Sequence, residues 1–306
     1  MNKRQLGQSG LYVSEMGLGC MSLGTDEKKA ASILSEALDS GINYFDTADL
    51  YDFGVNEEIV GKVLKPHRND IILATKAGNR WNEEKTSWSW DPSKAYIKQA
   101  VKDSLRRLQT DYIDLYQLHG GTLDDPIDET IEAFEELKQE GLIRAYGISS
   151  IRPNVIHEYV QRSGIVSNMM QYSLLDRRPE EWFSLLEKHH VSVIARGPLA
   201  KGLLSEKMLA KASSKVREEG YLDYSYQELE ELLSSIKETL AERTMNEIAF
   251  QYVLSSPAVV AVIPGASSPE QLCENAAAIK SKPLSEKEIG LLRSLTKMSK
   301  YEAHRV

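Results

Sequence analysis

Short apolar or β-branched runs recur along the chain, each followed by a polar stretch and then, in most cases, by apolar residues at helical spacing. The runs are Met16–Gly19, Asn43–Phe45, Ile71–Thr75, Ile113–Leu118, Ala145–Ile148, Met169–Gln171, Val191–Ala195 and Val259–Ile263. Strands separated by helices imply parallel pairing, because a crossover of helical length must carry the chain back to the start of the next strand. Eight such units predict an α/β fold, a closed (β/α)8 TIM barrel that takes up residues 1–306 as a single domain. The helical pattern is clearest in three places. Ala30–Leu38 is one, and a second segment opens at Asp91-Pro92 and runs to about Leu108. The third, Asp128–Glu140, is closed by Gly141. There Ile131, Phe134 and Leu137 form a buried stripe, and the acidic cluster of Glu132, Glu135 and Glu136 is a solvated face.

Two segments stand outside the repeat. Lys3–Leu6 and Leu11–Val13 flank Gly7-Gln8-Ser9-Gly10 and predict a β-hairpin able to cap the bottom, the N-terminal mouth, of the barrel. Ser205–Tyr226 is charged and without periodicity, which predicts a long, mobile loop on the catalytic side.

Composition narrows the partners. A net charge of −8 argues against nucleic acid or an anionic membrane, either of which needs a basic face, while leaving room for a local basic pocket. Met1–Gly10 has two basic residues with no apolar run behind them, unlike a secretory signal, so the cytoplasm is the expected location. Cys20 and Cys273 are far apart and lack ligand spacing, so neither a disulfide nor a metal site is expected.

In a barrel of this kind, reactive groups sit at the C-terminal ends of the strands. Asp46 ends one apolar run, Tyr51 follows in the same loop, Lys76 ends the next run, and His119 ends the one after. Together they suit general acid catalysis. A phenol, with an ordinary pKa near ~10, gives up its proton reluctantly at neutral pH, and a lysine cation beside it stabilises the phenolate left behind. An aspartate would hold the lysine charged, and a histidine could hydrogen-bond a carbonyl oxygen and orient it. Taken singly, each has a plainer reading: a turn-forming aspartate, one packing tyrosine among 14, a satisfied core histidine. Lys76 alone would also suit Schiff-base chemistry in a lyase.

The string Gly41-Ile42-Asn43-Tyr44-Phe45-Asp46-Thr47-Ala48-Asp49-Leu50-Tyr51 resembles the first signature of the aldo-keto reductase superfamily. Further segments follow in that family's order: Ala74-Thr75-Lys76, Leu105–Leu108, Asp111–Leu115 with His119, Gly147-Ile148-Ser149, Gln171-Tyr172-Ser173, Gly197-Pro198-Leu199, Gly202–Leu204, and Ile263-Pro264-Gly265 through Asn275. The similarity spans roughly residues 1 to 285, and the ordered set is far more specific than any one motif. It implies Asp46, Tyr51, Lys76 and His119 as a catalytic tetrad, and reduction of aldehydes or ketones to alcohols with NADPH, or with NADH. It also implies an extended cofactor bound without the G-x-G-x-x-G fingerprint, which this chain lacks after its strands.

By the same resemblance, Ser149, Ser150 and Gln171 would hold the nicotinamide carboxamide. Arg196, Gly197, Pro198, Leu199, Lys201, Gly202 and Leu203 would wrap the pyrophosphate. Gly265, Ala266, Ser267, Ser268, Gln271, Glu274 and Asn275 would take the adenosine end, and Gly19, Cys20, Met21 and Asp46 complete the cofactor set. Three positions depart from the family pattern. Ser150 replaces a frequent asparagine, and Arg196 stands where an aromatic often stacks on the nicotinamide. The last loop lacks the lysine or arginine that often grips the 2′-phosphate. Trp81, Trp88 and Trp90, three of four tryptophans, fall in one loop and read either as substrate lining or as a loop anchored by its own aromatics. The expected partner is a small carbonyl compound, and the expected state is monomeric. A barrel that binds nicotinamide only to regulate another protein is the non-enzymatic alternative.

Overall fold

A computed structural model describes residues 1–305. Its eight barrel strands are β1 (Leu18–Gly19), β2 (Tyr44–Asp46), β3 (Ile72–Ala77), β4 (Ile113–Leu118), β5 (Ile143–Ile148), β6 (Ser167–Gln171), β7 (Ser192–Arg196) and β8 (Val259–Ile263). Each pairs in parallel with the next in chain order. A parallel bridge between Met16 and Val262 closes the circle, with Gly17 N donating to Val262 O at 2.9 Å and Val262 N to Glu15 O at 2.9 Å. The barrel is the one the alternation of runs predicts, with strand ends displaced by one or a few residues.

The two-residue period of a strand sorts its side chains into two sets. Tyr44, Ala74, Leu115, Ala145, Met169, Ile194 and Ala261 form an inner cluster together with Leu6, Leu11 and Val13 of the N-terminal hairpin. Phe45, Leu73, Tyr116, Ile148 and Val193 belong to the larger cluster shared with the helices. The hairpin pairs Lys3–Gln5 with Tyr12–Ser14. Gly7 N donates to Ser192 Oγ at 2.8 Å and Arg4 Nη1 to Val259 O at 2.8 Å, so the hairpin sits at the starts of β7 and β8, the predicted bottom. Its turn requires glycine: Gly7 has φ +54°, and a Cβ there would lie 2.5 Å from Val166 O.

The helices are α1 (Glu27–Asp39), α2 (Val55–Leu64), α3 (Lys94–Leu108), α4 (Ile127–Gln139), α5 (Pro153–Arg162), α6 (Phe183–Lys188), α7 (Ser214–Glu219), α8 (Tyr226–Thr239), α9 (Met245–Leu254), α10 (Pro269–Ile279) and α11 (Glu286–Leu295). α3 starts after Ser93, whose hydroxyl caps Tyr96 N, rather than at Asp91-Pro92. Asp91 is occupied by Ser93 N and the Arg80 guanidinium.

The segment 205–226 differs from the expected free loop. It holds a short turn at Met208–Lys211 and the helix α7, capped by Ser213. Val216, Tyr221 and Tyr224 are buried in the main core, and Lys297 N donates to Tyr224 OH at 2.6 Å. These anchors are spaced without helical or strand period, so the sequence carries no pattern that reveals their burial.

Candidate functional site

Strand alternation assembles the site. Asp46 lies two residues beyond the inward Tyr44, Lys76 two beyond Ala74, and Gln117 two beyond Leu115, with His119 two further on. All four therefore point inward, nearer the C-terminal end of the barrel. The fully buried Lys76 Nζ donates to Asp46 Oδ1 at 2.5 Å, to Thr47 O at 2.8 Å and to Tyr51 OH at 3.3 Å. Gln117 Nε2 donates to Asp46 Oδ2 at 3.2 Å. The Tyr51 and His119 rings meet edge to face with centroids 5.9 Å apart. The four residues singled out in the sequence thus converge. Gln117 joins them and was not anticipated, although its inward register in β4 is the signal that finds it.

The loop carrying Tyr51 is fastened on its way. Thr47 N donates to Ala74 O at 2.9 Å and Asp49 N to Lys76 O at 3.1 Å. Thr47 Oγ1 donates to Asn56 Oδ1 at 2.7 Å. Immediately after Tyr51, Asp52 (φ +49°), Phe53 (φ +51°) and Gly54 (φ +91°) are all left-handed. That conformation costs the two non-glycine residues about 1–2 kcal/mol each, and such turns persist where surrounding packing imposes them.

Burial raises the Asp46 carboxyl, partly offset by the Lys76 cation. Burial alone would lower the Lys76 ammonium, but the Asp46 carboxylate and the Tyr51 oxygen together outweigh it and hold the lysine above its ordinary value, charged. His119 is pushed down to about 3, first by burial and then by the Lys76 and Arg196 cations, so its imidazole is neutral at physiological pH. Its Nδ1 is buried without a partner.

Behind this cluster, Asp49 is buried, with Oδ2 accepting from Tyr96 OH at 3.1 Å and Oδ1 unpartnered. Burial, reinforced by the Glu57 carboxylate, pushes it up to about 8. The folded chain therefore keeps a proton that the unfolded chain releases near ~3.9, and this group's contribution to stability is lost as pH rises from there through about 8. Asp49→Asn, which cannot ionise, is expected to gain stability relative to the parent over that window, by at most about 1.4 kcal/mol per pH unit. Urea midpoints at pH 5, 7 and 9 check this; a parent–variant difference constant with pH would contradict it.

The predicted cofactor residues lie along the C-terminal rim. Ser149 N donates to Leu118 O at 2.8 Å and Ser150 N to Asn168 Oδ1 at 3.2 Å. The Gln171 amide is engaged on both sides, accepting from Arg196 Nη1 at 3.1 Å and donating to Asp176 Oδ2 at 2.9 Å. Arg196 and Gly197 are exposed, whereas Pro198, Leu203 and Ala266 are buried. Met21 is 66% exposed. The Cys20 thiol is sealed in the core, donating to Leu18 O, and is raised by burial. Gly19 lets the end of β1 approach that of β8, since a Cβ there would lie 3.2 Å from Ile263 O, and a Cβ at Gly265 would meet Ser22 Oγ of the turn that follows β1 at 2.4 Å.

A cavity of about 350 Å³ is lined by Leu199, Gly202, Lys207, Ser267, Ser268, Gln271, Glu274 and Asn275 among others. Ser268 caps α10, and Gln271 Oε1 accepts from Ser267 N and Oγ. Asn275 Nδ2 is buried there without a partner. The hydroxyls, the α10 N-terminus and the Lys207 ammonium could receive a phosphate, whereas Glu206, Glu270 and Glu274 in the same lining oppose one, so an anion must sit at the lysine and serine side. Lys207 was not anticipated; it comes from the 205–226 segment, whose irregular pattern concealed where it folds.

The tryptophans divide. Asn79–Trp81 and Trp88–Trp90 form a small antiparallel hairpin. Trp90 Nε1 donates to Asp125 Oδ1 at 2.8 Å and its ring covers Gly78 and Gly120. Trp81 meets Phe53 edge-on and lines a separate cavity of about 390 Å³ with Asp49, Tyr96 and Arg107. Trp88 is 54% exposed. Among the described residues there is no cluster of three or more potential metal-ligating side chains, and no helix is long and apolar enough to cross a membrane.

Comparison with known proteins gives a consistent answer. A sequence model described as the Aldo/keto reductase family matches residues 15–297. The chain is 63% identical over 305 residues to the "Uncharacterized oxidoreductase YqkF" of Bacillus subtilis (strain 168), covering 100% of both. It is 30% identical over 321 residues to the "NADH-specific methylglyoxal reductase" of Escherichia coli (strain K12), covering 96% of this chain and 98% of the relative. Among solved structures, the holo form of the aldo-keto reductase AKR11C1 from Bacillus halodurans superposes with a TM-score of 0.95 at 61% identity, over 100% of both chains. By the extent of the family match and by these relatives, the chain belongs to the aldo-keto reductase family and is an NAD(P)H-dependent oxidoreductase.

Proposed function

We propose that this chain, acting as a single-domain, monomeric, cytoplasmic enzyme, reduces aldehydes or ketones to alcohols with NADPH, and that Tyr51 donates the proton. The observation that carries this reading is the Lys76 ammonium, buried between the Asp46 carboxylate at 2.5 Å and the Tyr51 phenol at 3.3 Å.

The residues suited to hold the cofactor are Ser149, Ser150 and Gln171 at the nicotinamide and Arg196 through Leu203 along the pyrophosphate. Lys207 and the segment from Gly265 to Asn275 serve the adenosine end. Bound there, the reduced nicotinamide supplies the hydride to the carbonyl carbon. Neutral His119 donates a hydrogen bond that orients the carbonyl oxygen. Tyr51 gives its proton to that oxygen as negative charge develops, and Lys76 stabilises the phenolate that remains. Asp46, steadied by Gln117, keeps Lys76 charged and in place. A Schiff-base role for Lys76 is disfavoured: its three hydrogen bonds and raised basicity deny it the free amine lone pair that attack on a carbonyl requires.

Turnover of an activated aldehyde with each nicotinamide tests the reading; cofactor binding without any turnover across a carbonyl panel would favour a regulatory barrel instead. Lys207 is assigned the 2′-phosphate, the role the last loop leaves without a cation. Lys207→Ala is expected to weaken NADPH binding about tenfold while leaving NADH unchanged, as loss of one charge-assisted contact implies. Fluorescence titration with both cofactors measures this; equal weakening of the two would remove Lys207 from that role.

A further inference from the structure

We propose that Glu57 and Arg107, which make no hydrogen bond or ion pair with the four clustered residues, are positioning residues for the reduction; this rests on the general-acid reading of Tyr51. Their buried pair grips both carriers of the chemistry from behind the barrel wall. On one side is β3. Thr75, the residue before Lys76, faces outward and its Oγ1 donates to Glu57 Oε1 at 2.6 Å. Glu57 Oε2 in turn accepts from Arg107 Nε at 2.7 Å and pairs with Nη2 at 2.7 Å. The carboxylate side chain is 0% exposed and the arginine 10%.

On the other side is the left-handed turn that follows Tyr51. A Cβ on Gly54 would lie 2.8 Å from Arg107 Cδ and 3.0 Å from Trp81 Cη2, so the arginine stem and the indole are seated directly on that turn. The guanidinium lies 5.2 Å from the Trp81 ring centroid, and Trp81 meets Phe53 edge-on at 6.1 Å. Phe53 and Asp52 hold backbone angles they would not adopt unaided, so something must press the turn into shape.

A buried ion pair contributes little net stability once desolvation is counted, which leaves geometry as what this one supplies. The quantity it sets is the separation of the Tyr51 oxygen from Lys76 Nζ, at 3.3 Å already long for such a bond and hence sensitive to small shifts.

Thr75→Val keeps the branched shape and removes only the hydroxyl that ties β3 to Glu57. With the full chain, saturating nicotinamide and a reactive aldehyde, the single-turnover rate is expected to fall about 5- to 20-fold, within the range that small misplacements of reacting groups produce. KM and cofactor affinity should stay within about twofold, and the solvent deuterium isotope effect should rise as proton donation becomes slower. Thr75→Ser, which restores the hydroxyl, should recover the rate. An unchanged rate in Thr75→Val would overturn the proposal, as would a loss that follows the folded fraction with no change in isotope effect, or failure of serine to rescue. Should Thr75→Val not fold, Arg107→Lys is read by the same isotope effect. Full activity in a Tyr51→Phe variant would instead defeat the underlying acid assignment, so the two failures are told apart.

Discussion

Tyr51→Phe is expected to lower carbonyl reduction by about 10²- to 10⁴-fold while leaving nicotinamide binding intact, the range general acid catalysis contributes. The substitution removes one oxygen from a half-buried residue and leaves the edge-to-face contact with His119 in place. Lys76 keeps two of its three partners, Asp46 and Thr47 O, so no buried charge is orphaned. The loss should therefore appear in the chemical step and not in stability. Rapid mixing of the cofactor-loaded variant with an aldehyde, beside a cofactor titration, separates the two; a variant that reduces at the parent rate would show that the proton comes from elsewhere.

Lys76→Met should have an effect of similar size on rate and a second one on the fold. Methionine fills most of the lysine volume but leaves the Asp46 carboxylate buried without its cation, with Gln117 as its remaining strong donor. Breaking a buried pair in this way costs about 3–5 kcal/mol. The burial that already raises Asp46 would then act unopposed, and the carboxyl would take up a proton. Adding Asp46→Asn should restore much of the stability and none of the rate. Denaturant unfolding and turnover on the single and double variants test both halves. A double variant no more stable than Lys76→Met would mean that the pair is held by packing more than by charge.

Much of this was legible before any coordinates. The alternation of runs defined the barrel because a parallel strand and its crossover helix leave different periods in the chain. Asp46, Lys76 and His119 stood out because an apolar strand that ends in a titratable group is unusual, and Tyr51 through its place in the loop after Asp46 and the family signature that ends on it. What escaped notice lacked a local signature. Gln117 sits inside an apolar run and matters only because its register faces Asp46 across the barrel. Lys207 is one of many surface-like lysines until its segment folds against the α10 start. The anchoring of 205–226 depends on Tyr221 and Tyr224, whose spacing follows no period. The loop tryptophans show the converse. Their clustering was conspicuous, but Trp81 and Trp90 contact the Tyr51 turn and Asp125 through geometry that spacing does not encode.

The N-terminal hairpin has a consequence for traffic. With Leu6, Leu11 and Val13 covering one end of an interior already filled by Tyr44, Leu115, Met169 and Ile194, the barrel is a cup open only at its C-terminal mouth. Whatever reaches Tyr51, beside the buried lysine, must enter and depart through the same doorway at the C-terminal end. Choice among carbonyl compounds then belongs to the doorway, while the floor of the cup can stay constant.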